Sequence, residues 1–376
     1  MNLCLRTRLS RRFRAILVAA AHVAVMASVA RAQTPDATET DTPRGEFLIA
    51  PLPIVNPTLD NGVAVVGGYL FRLDRGDRTT APSVSGAGGF KTSNGSWGAA
   101  VLQTLNPAHD AIRFRVVAAY VDINYAFFGV GQAAGTANAS IDLNQVGPTG
   151  VGEVLVRVYG GWYLGARYQL LNMRVTTDAA PTPDGPTLPA EDANIRTAAL
   201  GPRVEFDSRD SNFYPRRGAQ IQAIASFYGE AVGGQRSYQV YQAWINRYHG
   251  IGARHVLAWH VAGCGAKGDV TFYDLCLLGR SQDLRGYTIG QYRDRALVAA
   301  QAEWRAELWW RFGATAFVGG GITAPTFSAL ALNDTLPGVG AGLRFTLAKR
   351  NHVNLRTDYA WGKNSSALYV SVTEAF

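Results

Sequence analysis

Residues 299–310 alternate between apolar and polar side chains at every second position. One side of this segment carries Ala302, Trp304, Ala306, Leu308 and Trp310. The other side carries Gln301, Glu303, Arg305, Glu307 and Trp309. A period of two residues indicates a β-strand, because successive side chains of a strand point to opposite faces. A chain built from many such segments folds as sheets that have one apolar and one polar face.

Three C-terminal segments, 337–347, 352–361 and 367–376, show the same alternation. In the last one, the apolar side carries Leu368, Val370, Val372 and Phe376, and Glu374 alone interrupts it. A soluble sandwich would pack this face against a second sheet, whereas an outer-membrane barrel would turn it to lipid and place the polar face in a wet lumen. Alternation alone leaves both architectures open.

The N-terminal segment favours the membrane architecture. Five arginines between positions 6 and 14 precede an apolar stretch over 15–29, and Ala30-Arg31-Ala32 follows. This order predicts a secretory signal peptide over 1–32 that is cleaved after Ala32. An uncleaved anchor is the alternative, but about fifteen apolar residues are fewer than the ~20 that a spanning helix needs.

The basic net charge does not predict nucleic-acid binding. The chain has a formal charge of +8, but six arginines lie in residues 1–32, which contain no acidic residue, so about +2 remains for the rest. No sequence pattern of a known nucleic-acid-binding module stands out. We therefore expect no nucleic-acid partner.

We predict an all-β, transmembrane antiparallel barrel of about 16 strands. The expected organisation is a signal peptide over 1–32, a polar and extended periplasmic lead-in over 33–60, and the barrel over 61–376. The predicted strands are 62–73, 82–91, 96–105, 110–119, 123–131, 148–158, 161–174, 195–207, 217–229, 236–247, 253–263, 299–309, 312–321, 337–347, 352–361 and 367–376. The strand at 123–131 has little turn signal before it, and it is retained because single-chain bacterial barrels have even strand counts.

The predicted connections alternate in length, as periplasmic turns alternate with surface loops in such barrels. Short connections are expected at 92–95, 208–216 and 248–252, and long ones at 74–81, 175–194, 264–298 and 322–336.

Cys264 and Cys276 are the two cysteines left after signal cleavage. Export would place them in an oxidising compartment, where disulfides persist. We favour a disulfide that staples a hairpin-like loop, and two buried thiols are the alternative.

Several motifs in the C-terminal half resemble those of the BamA/TamA superfamily of outer-membrane assembly and translocation proteins, also called bacterial surface antigen barrels. Leu284-Arg285-Gly286-Tyr287 is similar to the tip of the family's sixth extracellular loop, which folds back into the lumen. The segments 207–218, 338–344 and 356–360 are similar to the family's periplasmic turn and its last strands. The resemblance implies a long, lumen-folded sixth loop, and a C-terminal signal at Tyr369 and Phe376 that barrel-assembly machinery reads during biogenesis.

Arg285 requires a carboxylate partner if it is buried, because its charge cannot be removed and its desolvation is costly. Glu303 and Glu307 are the candidate partners on the lumenal wall. In the family, an Asp in a Phe-x-Asp-x-Gly motif also pairs with the loop arginine, but Gly319 stands at that position here. Either Glu303 or Glu307 then carries the pairing, or the loop is held less firmly.

The resemblance implies assistance in the insertion or translocation of polypeptide or lipid. The expected partners are outer-membrane lipid and an unfolded outer-membrane protein or secreted client. Periplasmic POTRA domains usually precede the family's barrel, and residues 33–60 are too few to form one. A passive pore or structural barrel is the alternative function.

An enzyme is not expected. No histidine outside the signal lies beside a nucleophile motif, so we predict no catalytic residues. No motif with metal-ligand spacing occurs, so we predict no metal and no cofactor.

Overall fold

A computed structural model describes residues 45–73, 83–178, 185–348 and 352–376. The predicted signal peptide and the first part of the predicted lead-in, 33–44, lie outside the described residues. The predicted loop 74–81 also falls outside them.

Within this described part, sixteen antiparallel strands close into one barrel, as the alternation predicts. The barrel strands are β1 (Gly45–Asn56), β2 (Asp60–Phe71), β3 (Ser83–Thr92), β4 (Trp97–Leu105), β5 (Ile112–Phe127), β6 (Ile141–Tyr159), β7 (Trp162–Thr176), β8 (Asn194–Asp207), β9 (Gly218–Tyr228), β10 (Tyr238–Ile251), β11 (His255–Gly268), β14 (Ala296–Glu307), β15 (Phe312–Ala324), β16 (Leu336–Ala348), β17 (Val353–Gly362) and β18 (Ser365–Val372). Between β11 and β14, the short strands β12 (Cys276–Leu277) and β13 (Arg293–Asp294) form a separate pair.

Among the described residues, helical structure is confined to short segments in the connections. These segments are Pro107–Asp110, Gln132–Ala137, Ala190–Asp192, Glu230–Val232, Phe327–Ala329 and Leu332–Asp334. No helix among the described residues is both long and apolar enough to cross a membrane.

The two faces of each strand differ in burial, as the sequence of β14 illustrates. Trp304 is 44% exposed on the outer face, whereas its neighbours Glu303 and Arg305 are buried inside the barrel. Outward valines such as Val101, which is 56% exposed, continue the apolar surface around β4. The apolar residues therefore form the outer surface of the barrel, and the charged residues line its lumen.

The predicted lead-in over 33–60 is wrong for residues 45–56, which form β1. This strand pairs with β2 along its whole length, from Gly45 with Phe71 to Asn56 with Asp60. Pro51 and Pro53 hid the strand in the sequence, because proline has no backbone N–H to donate to a ladder. Proline is tolerated on the side of a strand that forms few hydrogen bonds. The side of β1 that faces β18 is such a side, because the two strands share only one residue pair, Val55 with Val370.

The two strands predicted at 110–119 and 123–131 are one strand, β5. Its pairing with β6 runs without interruption from Ile112 with Val156 to Phe127 with Ile141. Residues 120–123 contain neither glycine nor proline, so no strong turn signal interrupts the ladder there. The missed β1 and the divided β5 cancel, which is why the predicted number of strands is nevertheless correct.

Because β1 was not predicted, the first connections lie at the end of the barrel opposite to the expected one. Residues 92–95 were expected to form a periplasmic turn, but Asn94 donates to the carbonyl of Thr58 at 3.3 Å. The Thr58 hydroxyl in turn accepts from the backbone of Ile289, which lies in the long connection 269–295. We name this connection loop six and its end of the barrel the loop-six end. The turns 208–217, 252–254 and 308–311 lie at the other end, because consecutive connections of an antiparallel barrel alternate.

We predict that Val101→Arg destabilises the protein by about 2–4 kcal/mol in a bilayer, because this residue points outward near the middle of β4. Urea-dependent unfolding in lipid vesicles measures the change. Val101→Ile is the matched control and is expected to stay close to the wild type. An arginine tolerated at position 101 without loss would show that this face does not meet lipid.

Candidate functional site

Loop six turns back into the barrel between β11 and β14. The pairing of Cys276 with Asp294 in β12 and β13 holds its two arms together. A disulfide joins Cys276 to Cys264 of β11, with the two Cα atoms 5.7 Å apart. The loop is thus tied to the wall just before its tip, residues 284–287.

The tip is deeply buried. Leu284, Arg285 and Tyr287 are at most 1% exposed. Gly286 has a φ of 110°, and a Cβ there would lie 2.9 Å from the backbone nitrogen of Gly362. Both its conformation and its close approach to β17 therefore require glycine at this position.

The guanidinium of Arg285 lies between two wall strands. Its Nη2 is 2.5 Å from Glu303 on β14, and its Nη1 is 2.5 Å from Asp358 on β17. Its Nε donates to the side chain of Gln301 at 3.2 Å, and the Phe317 ring lies 3.4 Å from the guanidinium carbon. Each of the three guanidinium nitrogens thus has a hydrogen-bond acceptor, and an aromatic ring packs on one face of this buried cation.

Glu307, the second predicted partner, does not contact Arg285. It accepts instead from Arg216 at 2.9 Å and is half-exposed. The physical reason is its distance along the strand, since four residues of β-strand separate Glu307 from Glu303 by about 13 Å. Glu307 therefore lies near the mouth of the barrel.

Asp358 is the partner that the sequence analysis missed. Its signal was present, since the alternation in 352–361 puts Asp358 on the face opposite the apolar residues. The contact depends on where the tip lies in the lumen, since Arg285 spans from β14 to β17 past the two strands between them. Gly319 stands where the family has its Asp. A Cβ at Gly319 would lie only 3.0 Å from the Leu284 side chain. Glycine there makes room for the tip, and Asp358 supplies the charge.

The Arg285 contact is part of a larger ionic network. Glu303 also accepts from Arg305 at 2.6 Å, and Asp358 also accepts from Arg344 at 2.6 Å. Arg344 reaches Glu374 at 2.7 Å. All of these side chains are buried, and shared carboxylates keep the arginines from being unpaired charges.

Hydroxyl groups also hold the tip in place. Tyr369 accepts a hydrogen bond from the Gly286 backbone at 3.0 Å, and Tyr287 donates to the Pro337 carbonyl at 2.6 Å. The predicted role of Tyr369 as part of an assembly signal stays a prediction.

Phe376 was expected on the outward, apolar side of the last strand, and that placement is wrong. The strand ends at Val372, and Thr373 has a φ of 73°, which turns the chain inward. The Phe376 ring lies 5.4 Å from the ring of His260, and its carbonyl accepts from Arg305 at 2.9 Å. Its predicted role in assembly remains untested.

A second contact fixes the segment before the tip. His260 of β11 meets Asp283 through Nε2 at 3.1 Å, and its other ring nitrogen contacts Asn246 of β10. Loop six is therefore attached to β11 before the tip as well as to β14 and β17 at the tip.

At the loop-six end, Asp274 anchors the base of the loop. It accepts from Tyr238 at 2.6 Å and from Tyr228 at 3.2 Å. Burial raises the pKa of this carboxyl, since desolvation penalises its charged form and hydroxyl donors compensate only in part.

The remaining lumenal wall carries its own ion pairs. Arg203 contacts both Glu153 and Glu205, and Arg113 joins Glu205 to Asp110. Among the residues that the structure describes, no group of histidine, cysteine, aspartate and glutamate side chains is arranged to hold a metal ion.

We predict that Asp358→Asn loosens the tip and raises the rate of trypsin cleavage within loop six by at least tenfold. The reason is that Arg285 loses half of its buried counter-charge, at a cost of about 3 kcal/mol. Glu307→Gln is the matched control and should leave cleavage unchanged. Equal effects of the two substitutions would contradict the assignment of Asp358 as the partner.

The comparisons with known proteins agree with this geometry. The structure resembles BamA from Haemophilus ducreyi lacking POTRA domains 1–3, with a TM-score of 0.56 and 13% identity, over 89% of this chain and 70% of that one. It also resembles CdiB from Acinetobacter baumannii (TM-score 0.57, 10% identity) and CdiB from Escherichia coli (TM-score 0.58, 11% identity). Each match covers 89% of this chain, which spans 60% and 63% of the two CdiB chains.

At these identities the structural likeness shows the fold alone. A search of curated proteins gave no match. The model of the Omp85 superfamily domain, however, matches residues 126–371, which is well over half of the chain. The chain therefore belongs to the Omp85 superfamily.

Proposed function

We propose that this protein works in the bacterial outer membrane, where it assists the insertion or translocation of polypeptide or lipid. The observation that carries the proposal is the combination of a lumen that contains the tip of loop six and a weak seam. The lumen holds the loop-six tip, and cavities of 260 and 270 Å³ lie beside Gln282, in the segment before the tip. A client would then leave or enter the membrane through the wall.

The seam lies between the first and the last strand. Between β1 and β18 one residue pair, Val55 with Val370, joins the described strands. The neighbouring β17 and β18 pair continuously from Leu355 with Val372 to Gly362 with Ser365. Few main-chain hydrogen bonds would need to break for this seam to open, because the ladder is short.

The prolines of β1 contribute to this weakness. Pro51 and Pro53 are two residues apart, so both direct their missing N–H groups to the same neighbouring strand. Because β1 pairs with β2 along its whole length, the side of β1 that lacks these two N–H donors must be the side that faces β18. Phe47 and Ile49 on the same strand are 80% and 74% exposed.

A passive pore is the alternative function. The buried contacts of Arg285 argue against it, since a held plug reduces the space through which ions could pass. We further propose that the protein acts without catalysis, which rests on the sequence patterns alone. Its proposed partners are outer-membrane lipid, an unfolded or secreted client, and the machinery that assembles barrels.

The test closes the seam with an engineered disulfide. Cα atoms of paired strands are about 4.5–5.5 Å apart, which is within the range that a disulfide spans. We expect Val55→Cys with Val370→Cys to slow assisted insertion of a small eight-stranded barrel into lipid vesicles by at least tenfold. Reduction should restore the rate.

The control pair is Thr357→Cys with Val370→Cys, which are partners in the closed β17–β18 ladder. It should leave insertion unchanged, and it also controls for reduction of the native disulfide. An undiminished rate with the seam locked would contradict the proposed function.

A further inference from the structure

A cavity of 230 Å³ opens at the end of the lumen opposite loop six. The turns 252–254 and 308–311 and the inner faces of β16 and β17 enclose it. The proposed function does not use this cavity.

The lining is strongly basic. Its charged and titratable side chains are Arg254, Arg305, Arg311, Arg344, His352, Glu307 and Tyr214. Glu307 is the one carboxylate in the lining, and it already accepts from Arg216 at 2.9 Å. Arg305 and Arg344 are also paired with Glu303, Asp358 and Glu374 behind the lining, so the positive charge that faces the cavity without a counter-charge is that of Arg254 and Arg311.

Two of the buried arginines have unused donors. Nη1 of Arg305 and Nη2 of Arg344 are buried and have no hydrogen-bond partner among the described residues. These residues are only 1% and 4% exposed, and Nη2 of Arg344 lies 3.8 Å from Glu303, beyond hydrogen-bonding distance. An unmade hydrogen bond of a buried charged group is costly, so these donors favour an anionic oxygen within reach.

The rim arginines are placed to complete such a site. Arg311 is held by hydrogen bonds from its Nη1 to the carbonyls of Thr346 and Leu347, at 2.8 and 2.9 Å. Arg254 lies exposed in the turn after β10. Within the described residues, neither rim arginine forms an ion pair, so their charge is available to a ligand.

Aromatic residues indicate where the ligand comes from. Trp309 and Trp310 line the same cavity and are 67% and 69% exposed. Trp310 packs with Phe312 and Phe345 at the edge of the barrel, with ring centroids 5.9 Å apart in both cases. Such aromatic groups lie at the level of lipid headgroups at the ends of membrane barrels.

We propose that this cavity binds a phosphate group, carried by a phospholipid of the adjacent leaflet. Phosphate oxygens accept the guanidinium donors of Arg305 and Arg344, and Arg254 and Arg311 neutralise the charge from the rim. The acyl chains lie along the apolar surface beside Trp309 and Trp310.

The experiment measures binding of two probes by calorimetry, at fixed ionic strength and in a detergent without phosphate. The probes are dihexanoyl phosphatidylglycerol and sodium phosphate. The variants are Arg254→Ala and Arg254→Glu, and the control is Arg217→Glu, an exposed arginine in a turn at the same end. All three substitutions lie in exposed turns, so folding is preserved.

We expect the lipid to bind with a dissociation constant that Arg254→Ala raises roughly tenfold and Arg254→Glu raises further, since a charge-assisted hydrogen bond is lost. Arg217→Glu should leave it unchanged. If sodium phosphate binds as tightly as the lipid, with the same dependence on Arg254, the phosphate site is supported and free phosphate is its ligand. Absence of binding by both probes, or equal weakening by Arg254→Glu and Arg217→Glu, would overturn the proposal.

Discussion

The rest of the structure depends on one buried cation. Arg285 cannot lose its charge, so its position inside the barrel is set by the carboxylates that surround it. Glu303 and Asp358 belong to strands that are 55 residues apart in the sequence, and the tip of loop six connects them. Buried ion pairs add little net stability, but they specify one arrangement, because every displaced arrangement leaves a charge without its partner. The network thereby fixes where the loop lies.

The loop is held firmly in the lumen, whereas the wall is weakly paired between β1 and β18. A barrel normally removes all unpaired edges by closure. Here the neighbouring described strands pair over many residues, with short interruptions between β6 and β7 and between β8 and β9, whereas β1 and β18 share one residue pair. The two prolines of β1 explain why this edge forms few hydrogen bonds. The weakest pairing of the wall thus lies at this seam, while the network around Arg285 ties β14 and β17, the neighbour of β18, to the loop.

Local patterns were sufficient for most strands, since alternation is a property of neighbouring residues. They failed at β1, where prolines interrupted the pattern, and at β5, where a long strand was divided in two. Glu303 could be predicted as a partner because it lies on the inward face of its strand. Asp358 and the room provided by Gly319 could not, because both depend on where the tip of loop six lies against the wall, which no local pattern shows. The inward turn at Thr373 likewise depends on the lumenal surroundings of Phe376.

The central claim is that Arg285 holds loop six as a plug in the lumen. Planar-bilayer conductance of the refolded protein, compared between the wild type and Arg285→Ala, tests it most directly. The account predicts small, flickering currents in the wild type and a clear rise in the variant, because the tip leaves the lumen when its charge is removed. A steady, open conductance in the wild type that the substitution leaves unchanged would contradict it.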